Sequence, residues 1–199
     1  MKQKVLLTFL CLFTLSGAVF PQVKLETEIL SQYYCPGDND LDGLSLNLKL
    51  KYTNIGAQPI ILTKDSLGIG QMIVTKNDNG IAGTREMNVV YTLISSSEWN
   101  ATAGDLNRLF VTLKPNETFV TKAAARVFVW RENRSAIAGA VGNGQHFLQL
   151  GISTWPGSPE TAEQLQVAWK DKGSLQTDSI VSAPMTFTVV PKRKLTKCR

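Results

Sequence analysis

The chain has 199 residues, 43% of them hydrophobic, and a formal charge of +5 at neutral pH. That length suits one domain burying roughly 70% of its unfolded surface, or at most two small ones, and one is expected. The positive bias is mild, and its only cluster is Lys192-Arg193-Lys194 with Lys197 and Arg199, a solvated tail or a contact for an acidic surface; a nucleic-acid binder, which concentrates charge on one face, is excluded on these grounds.

In chain order, Met1-Lys2-Gln3-Lys4 precedes an apolar run from Val5 to Phe13, and Ser16-Gly17-Ala18 places small residues where a signal peptidase cuts. Residues 1–18 are therefore expected to be a cleaved secretory signal, and residues 19–199 a single secreted or periplasmic domain. The apolar stretch to Phe20 is about 16 residues, short of the roughly 20 that span a bilayer, and the mature chain is expected to hold no transmembrane segment. Cys11 follows Leu10 instead of the small residue that precedes a lipid-modified cysteine. Cleavage takes Lys2 and Lys4 and no acid, leaving a formal charge of +3.

Two cysteines remain, Cys35 and Cys198, in a compartment where paired thiols become disulfides; they are expected to form a staple between the two ends of the mature chain. Just after the first comes Asp38-Asn39-Asp40-Leu41-Asp42-Gly43, the first half of a calcium loop, in which alternating carboxylates converge on one cation. The second half departs from that pattern: Lys49 stands at position twelve, where a bidentate glutamate belongs, and a strand replaces the flanking helix. Two readings stay open. Calcium is the possible cofactor, held by Asp38, Asp40 and Asp42 with Glu26 or Glu28 completing the set, or else the segment is an acidic turn whose side chains bond their own backbone.

Leu44, Leu46, Leu48, Leu50 and Tyr52 alternate with Ser45, Asn47, Lys49, Lys51 and Thr53, the period of a strand with one buried face. Asn54-Ile55-Gly56 is a turn, and Pro59 opens a short apolar run, Ile60-Ile61-Leu62. Strands are expected at Ile69 to Thr75, Asn88 to Ile94 and Leu109 to Leu113, then a tight turn at Lys114-Pro115-Asn116-Glu117. A long strand from Thr118 to Arg131 follows, with Phe119, Ala123, Ala125, Val127 and Val129 on one face; Phe128 and Trp130 on the other imply cover on both sides at its end. Gln145 to Ser153 aligns His146 with Leu148, Leu150 and Ile152, and Met185 to Val190 is the last strand. Only Glu160 to Lys170, between Pro159 and Gly173, reads as a helix.

Three stretches, "LKLKYTNIGAQPIIL", "LKPNETF" and "APMTFTVV", resemble an early strand with its turn, the turn between central strands, and the closing strand of immunoglobulin-like domains of bacterial exported proteins. The resemblance covers about 30 residues and implies an all-β, antiparallel immunoglobulin-like β-sandwich with at most one short helix, acting as a binding or structural module. The antibody-type cysteine pair around a tryptophan is missing.

The remaining chemistry is sparse. His146, the only histidine, excludes multi-histidine metal sites and reads as a satisfied core histidine. Gly139 to Gly144 precedes a strand and so lacks the helix a phosphate loop needs. Glu86, Glu98, Glu117 and Glu132 could supply a carboxylate pair for glycoside hydrolysis, although no spacing recommends it. Trp99 and Trp155 fall in expected loops, where they either pack or contact a sugar or protein partner. Asn100, Asn116 and Asn133 each open an Asn-x-Ser/Thr glycan acceptor pattern. No catalytic residue is expected. The resulting function is an exported non-enzymatic binding, adhesion or assembly module with an unknown protein or glycan partner; the alternatives are a small extracytoplasmic glycan hydrolase and a calcium-dependent recognition module using the Asp38–Asp42 loop.

Overall fold

The computed structural model describes residues 22–37, 40–64, 69–75, 88–89, 104, 106–131, 140–191 and 194–196. It is all-β with little helix, and its sheets are mostly antiparallel. The first sheet contains β1 (Val23–Pro36), β2 (Leu41–Asn54), β7 (Thr118–Trp130) and β8 (Ala140–Val141), in the order β1-β2-β7-β8. β2 is its spine: it pairs antiparallel with β1 from Val23↔Asn54 to Pro36↔Asp42, and with β7 from Leu41↔Trp130 to Thr53↔Thr118. β8 adds a parallel pairing at Phe128 and Val129 alone.

A second sheet holds β3 (Ile60–Thr63), β6 (Phe110–Leu113) and β10 (Ser174–Leu175) in the order β10-β3-β6. The third holds β4 (Ile69–Thr75), β5 (Asn88–Val89), β9 (Gly144–Ile152) and β11 (Ile180–Val181) in the order β11-β9-β4-β5, with β12 (Met185–Val189) also pairing β9. Two helices complete the described chain: the single turn α1 (Leu106–Leu109) and α2 (Pro159–Ala168).

The alternation along β2 sets the core. Leu44, Leu46, Leu48 and Leu50 are wholly buried and meet Met72 and Val74 of β4, Val127 and Val129 of β7, and Leu148, Leu150 and Ile152 of β9 in one cluster shared by all three sheets. The unbroken run in β3 has a different logic. Ile60 and Leu62 enter this main core, while Ile61 faces the other way into a second cluster with Phe110, Leu165, Trp169 and Leu175. A strand covered on both faces needs no polar alternation, and α2 provides the cover. Ser158 caps that helix by accepting from the Thr161 amide at 3.2 Å, and Pro159 starts it where a missing amide costs nothing. Gln166 on its inner side donates to the Gly173 carbonyl and accepts from the Leu175 amide, fastening the helix to β10.

Several expectations change. β1 escaped the sequence reading because it carries a bulge between Ile29 and Ser31 that breaks its alternation. β2 begins at Leu41, so half of the acidic segment belongs to a strand. Phe128 is 38% exposed, so the end of β7 is not fully covered on its outer side. The expected strand from Asn88 is described only at β5, and its remainder lies outside the described residues.

Asn54 closes β2 at a junction of the sheets. Fully buried, it donates through Nδ2 to the carbonyls of Gln58 (2.8 Å) and Leu113 (2.9 Å) and accepts from the Gly56 amide (2.9 Å). Its own backbone bonds Glu117 and Asn116 in the turn before β7. Replacing it by alanine strands two carbonyls and an amide, so Asn54→Ala is expected to lose about 2–4 kcal/mol in urea unfolding with an unchanged slope. Leu48→Ala, a plain cavity in the spine, is expected to lose about 2–5 kcal/mol. An Asn54→Ala midpoint equal to that of the native chain would remove the junction from this account.

Candidate functional site

The acidic segment forms the connection from β1 to β2. Asp40 takes φ of +61°, a left-handed conformation that aspartate tolerates, and Gly37 passes so near the Leu41 carbonyl that a Cβ would lie 2.5 Å from its oxygen. Asp42 sits inside β2, opposite Pro36 and Val129, and is 4% exposed. Its Oδ1 accepts from Arg131 Nε at 3.0 Å; Arg131 Nη2 donates to the Gly37 carbonyl at 2.6 Å, and the Arg131 amide to the Asp40 carbonyl at 2.9 Å. One arginine thus engages the acid and two turn carbonyls, the Asp42 carboxylate and the Gly37 carbonyl through its guanidinium and the Asp40 carbonyl through its backbone amide. Asp38 lies outside the described residues. Glu26 and Glu28, named as possible further ligands, do not approach the turn: they stand opposite Lys51 and Lys49, and Lys49 is seven residues along β2 from Asp42, about 23 Å of extended strand. Among the described residues, no three His, Cys, Asp or Glu side chains gather as metal ligands would.

Beside the turn, the C-terminal segment is laid along β1. Leu195 forms a parallel bridge with Tyr34, and the Thr196 amide donates to the Tyr34 carbonyl at 2.7 Å. The Tyr34 hydroxyl accepts from the Val190 amide at 3.0 Å and faces the Thr188 carbonyl. Cys35, the next residue, is 3% exposed, and Cys198 lies outside the described residues.

The outer face of the first sheet divides its charges by strand. Glu26 takes ion pairs from Lys24 and Lys51, each at 2.9 Å, and Glu28 takes one from Lys49 at 3.4 Å. Hydrogen bonds from Lys51 and Lys24, with their charges, bring the Glu26 carboxyl down to about 2. Across β2, strand β7 presents Lys122 opposite Lys49 and Arg126 opposite Ser45, and it contains no acid. Arg126 lies across Gly43, where an added Cβ would meet its Cδ at 3.5 Å. Val120 and Phe128, at 49% and 38% exposure, bracket the two cations on this strand.

The other candidates are scattered. His146 is 2% exposed, bonds the Gly142 carbonyl through Nε2 at 2.8 Å and stacks on Phe187 with centroids 5.4 Å apart. Trp155 is half-buried: it stacks on Phe110, donates to the Ser158 carbonyl at 3.0 Å, and touches Gly157 so closely that a Cβ there would meet the indole at 2.7 Å. Glu117 accepts from the Lys114 amide within its own turn. Trp99, Glu86, Glu98 and Glu132 lie outside the described residues. The sequence reading overlooked Arg131 and Arg126, whose roles depend on register; the cue was the spacing of the basic residues along β7, visible once its faces are assigned. A cavity of about 280 Å³, bordered by Gln22, Val23, Ile60 and residues 174–180, has Asp178 as the one acid in its lining.

Comparison with protein-family models, with curated proteins and with solved structures returns no match.

Two measurements probe this surface. Arg131→Ala leaves the Asp42 carboxylate without its ionic partner and is expected to cost about 1–3 kcal/mol, with calcium failing to restore the melting midpoint; recovery by calcium would make the turn a cation site after all. The lowered Glu26 carboxyl contributes stability that is complete above the ordinary value of 4.5 and is lost as pH falls through about 2. Its side-chain carbon shift should therefore titrate near 2, and return toward the ordinary range in Lys51→Ala.

Proposed function

We propose that the chain is an exported, non-enzymatic module with an immunoglobulin-like β-sandwich that binds a protein or glycan partner outside the cytoplasm. The observation that carries the reading is strand order. In immunoglobulin-like folds strands A, B and E lie side by side in one sheet and C, F and G in the other; here β1, β2 and β7 are neighbours in one sheet and β4, β9 and β12 in another, all antiparallel. β8, which follows β7 in the chain and pairs it in parallel, is an addition to that plan, as is the layer of β3, β6, β10 and α2.

The non-enzymatic part rests on how reactive side chains are engaged. His146 is sealed in the core, Asp42 is held by Arg131, and Glu26 and Glu28 are bound to lysines. Export is supported by the leader pattern of residues 1–18 and by the surroundings of Cys35. Cys35 is buried, and Thr196, two positions before Cys198, hydrogen-bonds its neighbour Tyr34. A Cys35–Cys198 bridge would close a loop around nearly the whole mature domain, worth about 5 kcal/mol at most.

Two experiments on oxidised chain 19–199 test this. A non-reducing digest should yield one disulfide-linked peptide holding Cys35 and Cys198, and Cys35→Ser and Cys198→Ser should lower the melting midpoint equally; free thiols in exported protein would sink the bridge. Incubation with polysaccharides of varied linkage should release no reducing ends above blank. Release that disappears in a single Glu→Gln variant would establish the hydrolase instead.

A further inference from the structure

The cavity beside the start of β1 lies where the three sheets meet. Val23 comes from the first, Ile60 and Leu175 from the second and Ile180 from the third, and together they floor it with branched aliphatic side chains. Three of the four belong to the main core and Leu175 to the second cluster, so the packing of both sets the floor. The rim is polar: Gln22, Ser174, Thr177 and Ser179 are exposed around it, and Asp178 adds a carboxylate. The walls are tied from behind. The hydroxyl of Thr154, 3% exposed, reaches the carbonyls of Gln176 at 3.0 Å and Asp178 at 2.9 Å, and Gln176 Nε2 donates to the same Asp178 carbonyl at 3.1 Å. The Gln176 amide donates to the Ile61 carbonyl, the Ser174 amide to that of Pro59, and the Ile55 amide to that of Gln22. These bonds to β3 and to the turn after β2 place the rim by the fold itself, the preorganisation that a small-molecule site needs.

Size and chemistry choose the ligand. At about 280 Å³ the cavity falls just under the range of drug-sized sites, roughly 300–1,000 Å³, and suits a molecule of few heavy atoms. A carboxylate at the rim attracts a cation and repels phosphates and carboxylates. The floor then selects among cations and neutral ligands: aromatic faces recognise a quaternary ammonium or a sugar ring, whereas branched aliphatics suit a chain of methylenes. An ammonium at the end of such a chain has three protons, one for Asp178 and two for the hydroxyl and amide oxygens around it. We propose that this cavity binds a protonated aliphatic amine, its ammonium held by the Asp178 carboxylate and the rim oxygens and its stem laid over Val23, Ile60, Leu175 and Ile180. The same chemistry arrives as a free alkylamine or as the lysine side chain of a protein partner, and the test separates the two. The inference goes beyond the reading of the chain as a binding module.

The test uses oxidised, nitrogen-labelled chain 19–199 and pentylammonium, with pentanol and pentanoate as neutral and anionic probes of similar length. Pentylammonium is expected to give saturable shifts at the amides of residues 174–180, Gln22 and Val23, and to leave those of residues 44–50 unmoved. Pentanol and pentanoate should bind at least about tenfold more weakly. The Asp178→Asn variant, checked for a native amide spectrum, should lose the same factor. Ser174→Phe provides a second variant, filling the space with the carboxylate intact, and should abolish binding. A second arm uses the capped peptide Gly-Ser-Lys-Ser-Gly and its Nε-acetyl form. Shifts of the same amides by the lysine peptide, lost on acetylation, assign the ligand to a protein partner; exclusion of the peptide while pentylammonium binds assigns it to a free amine. The proposal is overturned by equal binding of pentylammonium and pentanol, by shifts centred elsewhere on the protein, by undiminished binding to Asp178→Asn, or by no saturable shift at millimolar amine. The hydrolysis assay decides the module reading separately, so a chain that is inert toward polysaccharides yet ignores the amine loses this cavity site alone.

Discussion

One buried amide, the side chain of Asn54, stands at both places where the chain passes between the first and second sheets. After β2 the backbone leaves the first sheet for β3, and after β6 it returns as β7. Asn54 bonds the outgoing turn through Gln58 and Gly56, the end of β6 through Leu113, and the returning turn through its own backbone to Asn116 and Glu117. No apolar residue could do this, since each carbonyl left unbonded in the core costs about as much as a well-packed methylene gains. Fixing the junction fixes the separation of the two sheets, and thereby lets Ile60 and Leu62 face one core and Ile61 the other.

The far end of β2 is held by electrostatics instead. Asp42 lies twelve residues from Asn54, about 40 Å of extended strand, and Arg131 ties it to the carbonyls of Gly37 and Asp40. The fixed guanidinium pairs with a buried acid and satisfies the Gly37 carbonyl, while the backbone amide of Arg131 satisfies that of Asp40. Of the alternating acids in this segment, Asp40 stands in the turn and Asp42 in the first residues of the strand.

Legibility in the sequence followed periodicity. β2, β9 and β12 were readable to within about three residues because each alternates strictly with one face buried, and the span of β7 likewise; α2 was readable from its proline and glycine limits. β1 was lost to its bulge, which shifts the phase of Val23 and Leu25 against Tyr34. The two-residue strands β8, β10 and β11 carry no pattern at all, since their pairing is decided by neighbours far along the chain. Of the candidate site residues, the turn at Asp40 and the core placement of His146 were legible, whereas the pairing of Asp42 with Arg131 was not. That contact spans 89 positions and exists only because β7 lies beside β2 in one particular register.

The same registers explain why the two sides of the sheet differ. β1 is the first strand of the described chain, and its open flank lies against the C-terminal segment, so the chain closes that side itself with Leu195 and Thr196. β7 comes from the middle of the chain, and its successor β8 runs parallel to it for two residues only before the chain leaves for β9. A parallel neighbour requires a crossover and meets β7 at its far end, which leaves the first ten residues of the strand beyond its reach. With Asn54 at one end and Arg131 at the other, β2 is tied at both ends, and the registers of β1 and β7 against it follow from that placement.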